Sequence, residues 1–238
     1  MNHTMFFNRI RSTIYGGNLR QITVDNINVI LEFWESKFPA NVKTQLAYVL
    51  ATVLAEVGKN MNPVRETFAK TDEEARHRLR HKRYSQSTPP YGHAYYGRGY
   101  VQLTWKSNYK RQEEKLGVPL VQFPDLVLAT ENAVQILVDG MMAGDFNGHG
   151  HGLAYYVNEN KTDFFEARRT VNILDRAREI AGYAEDFLDA IEYATETRPF
   201  AVLQTETDAL SPDDKSLLHP SLEHLEFQHA SLPFGEID

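Results

Sequence analysis

Cysteine is absent from all 238 residues of the sequence. Its absence excludes disulfide bonds and thiolate metal sites, and it is typical of a protein that folds in a reducing compartment. Long hydrophobic runs are also missing, because the longest apolar stretch, residues 46–57, contains a charge and is too short to span a bilayer. The N-terminus has no continuous apolar segment before a small-residue cleavage site, so we predict no signal peptide. We therefore expect synthesis in the cytoplasm and no stable membrane insertion.

The sequence also has no excess of positive charge. The net charge is -7, but residues 196–238 alone contain nine acids and two bases, whereas residues 1–195 contain 23 of each. A balanced body argues against a nucleic-acid partner. We predict two parts. Residues 1–195 form one folded domain, and residues 196–238 form an acidic tail that is extended or partly disordered, because prolines interrupt it and its periodicity fades.

Most of the body shows helical periodicity. The clearest apolar stripe runs over residues 46–57 and should end at Gly58, and Thr71 with Glu74 resembles a capping box. The sequence predicts helices over residues 25–37, 46–57, 71–83, 107–116 and 131–143, and a pair of helices within 162–194. Alternating βαβ units are absent, so a doubly wound α/β fold is not expected.

One segment has the alternation of a strand. In GYVQLT, residues 99–104, Val101 and Leu103 share one face while Tyr100, Gln102 and Thr104 share the other. We predict a short half-buried strand, one half of a hairpin, whose polar face lines a groove. The predicted fold class is mainly α, with a small β element beside a helical bundle.

Glu56 is an unusual residue at the end of the apolar stripe. Helical projection puts it at the edge of the buried face, in the last turn, where the helix dipole disfavours another negative charge. Burial and dipole would both raise its pKa, as a general acid near neutral pH requires. By position alone, a solvated boundary residue is the better interpretation.

A second acid, Glu66, follows ten residues later, beyond a loop with glycine, asparagine and proline. Two carboxylates facing each other across a groove are what glycosidic bond hydrolysis requires. The alternative is a surface ion pair between Glu66 and a nearby base such as Arg65 or Lys70.

Residues 93–109, HAYYGRGYVQLTWKSNY, contain tyrosine and amide side chains that suit sugar binding. Tyrosine rings stack on sugar faces, and amides match sugar hydroxyls as donors and acceptors at once. This segment resembles the signature of glycoside hydrolase family 19, the chitinase and phage-endolysin group. The stretches 46–66 and 167–188 resemble other parts of the compact bacterial and phage branch, so the resemblance covers residues 5–195.

The resemblance implies a role for particular residues. Glu56 corresponds to the general acid, Glu66 to the general base of an inverting mechanism, and Thr104 to the residue that helps to hold the attacking water. Arg169 is a candidate for a charge that supports the acid pair. The substrate-contacting positions correspond to Tyr96, Gln102, Asn108 and Asn172.

The implied fold is lysozyme-like, with a groove between a helical bundle and a small β-hairpin lobe. The implied enzyme is a monomeric glycosidase that needs no cofactor and acts on the cell wall, cleaving β-1,4 linkages of peptidoglycan, with chitin as the alternative substrate. Ala55 and Val57 replace polar neighbours of the family's acid, and Ile173 replaces a glycine. These departures leave open a relative that only binds glycan or protein. His77 and His81 have no evident third ligand, so no metal site is predicted.

Overall fold

The computed structural model describes residues 1–38 and 42–195, so the predicted acidic tail lies outside the described residues. The helices are α1 (His3–Thr13), α2 (Gln21–Lys37), α3 (Lys43–Val57), α4 (Asp72–Arg78), α5 (Lys106–Leu116), α6 (Thr130–Ala143) and α7 (Ala177–Thr195). The strands are β1 (Val64–Arg65), β2 (Arg98–Gly99), β3 (Val157–Asn158) and β4 (Lys161–Thr162).

Helix α3 is the centre of the helical body. Its residues are almost all apolar or small, and they are buried on every face, as expected of a helix that is apolar all round. Helix α7 packs along α3, and α1 packs against α7. The helix ends where predicted, because Gly58 takes a φ of 78° that ordinary residues rarely adopt. Within the described ranges no helix combines the length and apolarity needed to cross a bilayer.

Several predicted helices are confirmed within a few residues. Helices α5 and α6 end at Gly117 and Gly144, both in the left-handed conformation. The pair of helices predicted within 162–194 is wrong. Only α7 forms there, because the preceding residues contain β4 and a 3-10 turn at Glu166–Thr170, and Arg176 has a φ of 56° that breaks a continuous helix.

The β lobe contains a hairpin, but its regular part is shorter than predicted. Strands β1 and β2 are antiparallel, with Val64 opposite Gly99, and Arg98 forms a further bridge with Leu103. The strand predicted over residues 99–104 is therefore wrong: the chain turns between the two bridge partners, and Gln102 has a φ of 51°. The lobe also has a small apolar cluster of its own, formed by Ala69, Ala75, Leu79, Ala94 and Tyr96.

A second antiparallel sheet was not predicted from the sequence. Strands β3 and β4 pair with Val157 opposite Thr162, and the side-chain amide of Gln45 on α3 donates to the Val157 carbonyl at 2.8 Å. A two-residue strand is too short to show an alternating pattern of apolar and polar residues, so this sheet could not be predicted from the sequence.

Candidate active site

Glu56 is the penultimate residue of α3, and its side chain is 18% exposed. Arg168 Nη1 donates to Glu56 Oε1 at 2.6 Å, and Arg168 Nε donates to the Asp175 carbonyl at 3.0 Å. The Arg168 side chain is only 3% exposed. Two fixed donor bonds and burial hold this guanidinium in one position, so the Glu56 carboxylate is held there too.

A second arginine lies at the same helix end. Arg176 Nη1 donates to the Ala55 carbonyl at 2.7 Å, which satisfies one of the carbonyls that the end of α3 leaves without a helical partner. The hydrogen bond to Glu179 first, and the charge of Glu56 in smaller part, raise the pKa of the Arg176 guanidinium. Positive charge thus flanks the negative end of the α3 dipole.

The arginine that contacts the acid differs from the one predicted. Arg169 Nε donates to Glu166 at 2.5 Å, on a surface where both side chains are more than a third exposed. In the 3-10 turn at Glu166–Thr170, neighbouring side chains point in different directions, so Arg168 faces inward and Arg169 outward. The sequence offers two adjacent arginines, and only their burial distinguishes them.

Glu66 begins a 3-10 turn, Glu66–Phe68, directly after β1. Its Oε1 accepts from the Tyr84 hydroxyl at 2.8 Å, and its Oε2 accepts from the Gly97 amide at 2.9 Å. Burial, followed by the hydrogen bond to Glu66, raises the pKa of the Tyr84 phenol, which keeps it a donor. Arg65, predicted as an alternative partner of Glu66, pairs instead with Asp125 at 2.6 Å.

Gly97 brings the hairpin close to Glu66. A Cβ at this position would lie 2.8 Å from Gln102 Oε1 and 3.2 Å from Glu66 Oε2. Gln102 Nε2 in turn donates to the carbonyls of Val64 at 3.2 Å and Gly99 at 2.9 Å, which joins the turn to both strands. Only a residue without a side chain permits this approach.

Two further predicted residues belong to the same network. The Thr104 hydroxyl donates to the Gln102 carbonyl at 2.8 Å, and Asn108 Nδ2 donates to the Thr104 carbonyl at 2.7 Å. All three side chains are half-buried. The structure therefore gathers Glu66, Gln102, Thr104 and Asn108 in the β lobe and the adjoining start of α5.

Tyr96 does not lie where substrate binding would place it. It is fully buried, its hydroxyl donates to Asp72 at 2.8 Å, and the Arg98 guanidinium lies 3.7 Å from the centre of its ring. The prediction that Tyr96 contacts substrate is therefore corrected, since its polar atom and its ring face are both occupied inside the lobe. Tyr100, expected on the groove-lining face, is likewise only 1% exposed.

Asn172 lies on the other part of the site, close in sequence to the arginine that holds the acid. Its amide donates to the Arg168 carbonyl at 3.0 Å, and its side-chain Oδ1 accepts from the Ile173 amide at 2.8 Å. Both Asn172 and Ile173 are exposed, the latter by 75%. The structure thus places Asn172 on the Glu56 side and the other polar candidates on the Glu66 side.

Arg98, in the YYGRGY motif, has a structural role that was not predicted from the sequence. It is 1% exposed, and it pairs with Asp72 at 2.9 Å and Asp125 at 2.8 Å, while Nη1 donates to the Tyr109 hydroxyl at 3.0 Å. One buried guanidinium therefore connects β2 to three other segments of the lobe. Burial alone would raise the pKa of Asp125, but bonds from Arg65 and Arg98 lower it overall.

Exposed aromatic rings that were not predicted from the sequence lie near Glu66. Trp105 directly follows Thr104, is 47% exposed, and meets the Tyr84 ring edge to face at 5.3 Å between centroids. Phe68, in the turn that begins with Glu66, is 65% exposed. Exposed rings beside a polar network are typical of sugar-binding surfaces. Among the described residues no cluster of three or more metal-ligating side chains is found.

A helical body with one acid at the end of a buried helix, and a small β lobe with a second acid, form the arrangement that the family resemblance implied. The family 19 glycoside hydrolase model, described as class I chitinase, matches residues 65–139. The resemblance predicted from the sequence is thereby confirmed over the segment that carries Glu66 and the YYGRGY motif, and the match supports a glycosidase. No curated protein sequence matches the chain.

The structure is similar to those of solved chitinases, one of them with a TM-score above 0.5. A mutant of chitinase C is 19% identical, with a TM-score of 0.54, and the match covers 82% of this chain and 76% of that chain. Chitinase C from Streptomyces griseus HUT6037 is 21% identical with the same coverages and a TM-score of 0.48. A bacterial family 19 chitinase is 20% identical, with a TM-score of 0.43 and coverages of 82% and 95%. The first of these confirms the predicted lysozyme-like fold.

Proposed function

We propose that the protein hydrolyses β-1,4 linkages of amino-sugar polymers of the cell wall, with peptidoglycan as the main substrate, by inversion at the anomeric carbon. The observation that carries this proposal is the separate fixation of two carboxylates. Glu56 is held on the helical body by buried Arg168, and Glu66 is held on the β lobe by Tyr84 and Gly97. Two acids on different rigid elements can act from opposite faces of a sugar ring.

Glu56, in its protonated form, donates to the glycosidic oxygen and Glu66 takes a proton from the attacking water. The geometry of Thr104 fits the second task. Its one hydroxyl hydrogen is directed at the Gln102 carbonyl, so its oxygen is left to accept from the second hydrogen of that water. Inversion leads us to expect a distance of roughly 6.5–9.5 Å between the two carboxyl groups when substrate is bound, which leaves room for the water.

Chitin is the second candidate substrate. Two observations favour it: the matching family is described as class I chitinase, and the structural relatives are chitinases. Chitin and peptidoglycan share the β-1,4-linked amino-sugar backbone, so the same pair of carboxylates serves for either. What separates them is charge, because chitin is uncharged whereas the muramic acid of peptidoglycan carries lactyl groups and peptides with carboxylates.

The experiment is hydrolysis of purified peptidoglycan and of a chitin hexamer, with new reducing ends identified by mass spectrometry and the first anomer identified by NMR. We expect cleavage of peptidoglycan, with products that first appear as the α-anomer. Initial β-anomer would overturn the inverting mechanism. If the protein binds glycan but cleaves neither polymer, the proposal that it is a hydrolase is wrong, and it is instead a relative that only binds glycan.

A further inference from the structure

A strongly basic segment lies on the β lobe, outside the carboxylate pair. Residues 76–83, RHRLRHKR, contain five arginines and lysines, two histidines and no acid, although residues 1–195 as a whole are balanced. Leu79 is buried and Arg76 is half-buried, while the other six side chains of this basic segment are exposed. The charge is therefore concentrated in one short, exposed segment of the lobe.

Part of this charge is not neutralised by the protein. Arg76 lies 3.8 Å from Asp72, and Arg78 pairs with Glu74. The remaining three cations, Arg80, Lys82 and Arg83, have no acidic partner in the portion of the chain that the structure describes. Three neighbouring unpaired cations attract anionic groups from solution.

The backbone beneath these cations is fixed. The single hydroxyl hydrogen of Ser85 is shared between the carbonyls of Leu79, 2.5 Å from Oγ, and Lys82, 2.8 Å from Oγ, and Gln86 Nε2 donates to the Arg80 carbonyl at 2.8 Å. Leu79 itself packs in the small apolar cluster of the lobe. Because carbonyls and Leu79 are held inward, the charged side chains project outward from a rigid turn, which lowers the entropy cost of binding.

Two contacts connect the basic segment and the residue that follows it to the turn that carries the second carboxylate. Arg78 Nη1 donates to the carbonyl of Thr67, the residue after Glu66, at 2.7 Å. Arg83 immediately precedes Tyr84, whose hydroxyl donates to Glu66 at 2.8 Å. A polymer that reaches Glu66 from this side therefore passes beside the basic segment.

We propose that the basic segment binds carboxylates of a peptidoglycan chain held along the Glu66 side of the site, and so selects an anionic amino-sugar polymer over neutral chitin. This inference rests on the proposed function and deepens it by naming the substrate class. Peptidoglycan presents lactyl-linked peptide carboxylates beside its sugar backbone, which complement the three cations. Uncharged chitin offers them no ionic partner.

The test compares R80Q/K82Q/R83Q with K37Q/K110Q/R178Q, which removes the same charge from exposed residues of α2, α5 and α7. Cosedimentation measures binding to peptidoglycan freed of teichoic acid and to chitin, at low and at high salt. We expect the first variant to bind peptidoglycan about tenfold more weakly at low salt, since each exposed ion pair contributes modestly. Its binding to chitin stays unchanged, and the difference shrinks at high salt because exposed charges are screened.

The inference is wrong if R80Q/K82Q/R83Q binds peptidoglycan as tightly as the wild type does. It is also wrong if the control variant loses as much affinity for peptidoglycan, or if R80Q/K82Q/R83Q loses as much affinity for chitin. Affinity that falls only for duplex DNA or for anionic lipid vesicles would overturn it in favour of a nucleic acid or a membrane surface. Cosedimentation measures binding and not hydrolysis, so it tests the role of the basic segment separately from the proposed hydrolase activity. If the wild type binds peptidoglycan through these cations and cleaves no polymer, the proposed hydrolase fails and the binding role of the basic segment remains.

Discussion

Gly97→Ala is the most informative perturbation of the β lobe. The added Cβ would lie 2.8 Å from Gln102 Oε1, 3.3 Å from Gln102 Cβ and 3.2 Å from Glu66 Oε2. The first distance is shorter than real Cβ contacts, so Gln102 or the Glu66 carboxylate must move by several tenths of an ångström. The same residue donates its amide to Glu66 at 2.9 Å, so a shift of the hairpin also changes the contact that orients the second carboxylate.

Overpacking of this kind costs roughly 1–3 kcal/mol of unfolding free energy, and the flexible Gln102 amide favours the lower end. Misplacement of a catalytic group by about 1 Å costs about 100-fold in rate, so we expect Gly97→Ala to lower kcat by about 10- to 100-fold with a Tm drop of a few degrees. The assay is steady-state hydrolysis of peptidoglycan, with thermal unfolding alongside. Gly182→Ala, on α7 with nothing within 4 Å of the new Cβ, is the control and should keep full activity. A folded Gly97→Ala enzyme with wild-type kcat would show that close packing at Gly97 does not position the second carboxylate.

Three further predictions concern the residues around the two acids. Arg168→Gln should lower the unfolding free energy by about 3–5 kcal/mol and lower activity, because it leaves the partly buried Glu56 carboxylate unpaired. In the same denaturant titration, the surface variant Arg169→Gln should cost less than about 1 kcal/mol. Equal costs would contradict the conclusion that Arg168, and not Arg169, holds Glu56. Tyr84→Phe removes a hydrogen bond to the second carboxylate and should lower kcat about tenfold with little change in KM, and an unchanged kcat would show that this bond is dispensable. The lowered pKa of Asp125 means that its contribution to stability is present above its ordinary pKa of 3.8 and is lost as pH falls through its lower folded pKa. Asp125→Asn should therefore be less stable than wild type at neutral pH and approach wild-type stability below about pH 4 in thermal unfolding; a constant difference would contradict that linkage.

The helical part of the fold follows from local chemistry. Stripes of apolar residues and terminating glycines placed α3, α5 and α6 within a few residues, because periodicity and positive φ are properties of short segments. The two sheets were predicted poorly, since each strand is two residues long and its existence depends on a distant partner. The boundary at residue 195 and the monomeric state stay predictions.

The site shows the same division between local and long-range information. Glu56 and Glu66 were predicted from a helix end, a loop and a family resemblance, and the structure fixes each by specific donors. The role of Arg168 was not predictable, because choosing it over Arg169 requires knowing which side of a turn is buried. Tyr96 was misassigned for a related reason: the resemblance implied that it contacts substrate, but its ring is buried against the Arg98 guanidinium.

We propose above that Glu56 donates the proton that breaks the glycosidic bond. The most direct measurement is the initial rate of peptidoglycan cleavage by Glu56→Gln, with Glu32→Gln on the exposed face of α2 as the matched control. Loss of a positioned general acid costs roughly 100- to 10,000-fold in rate, so we predict a fall of at least about 100-fold for Glu56→Gln and an unchanged rate for the control. Glu56→Gln should also have a lower Tm than the control, because it leaves the buried Arg168 guanidinium without its charged partner, so the rates are compared at a temperature at which both variants are folded. Cleavage by a folded Glu56→Gln enzyme at the wild-type rate would contradict the claim.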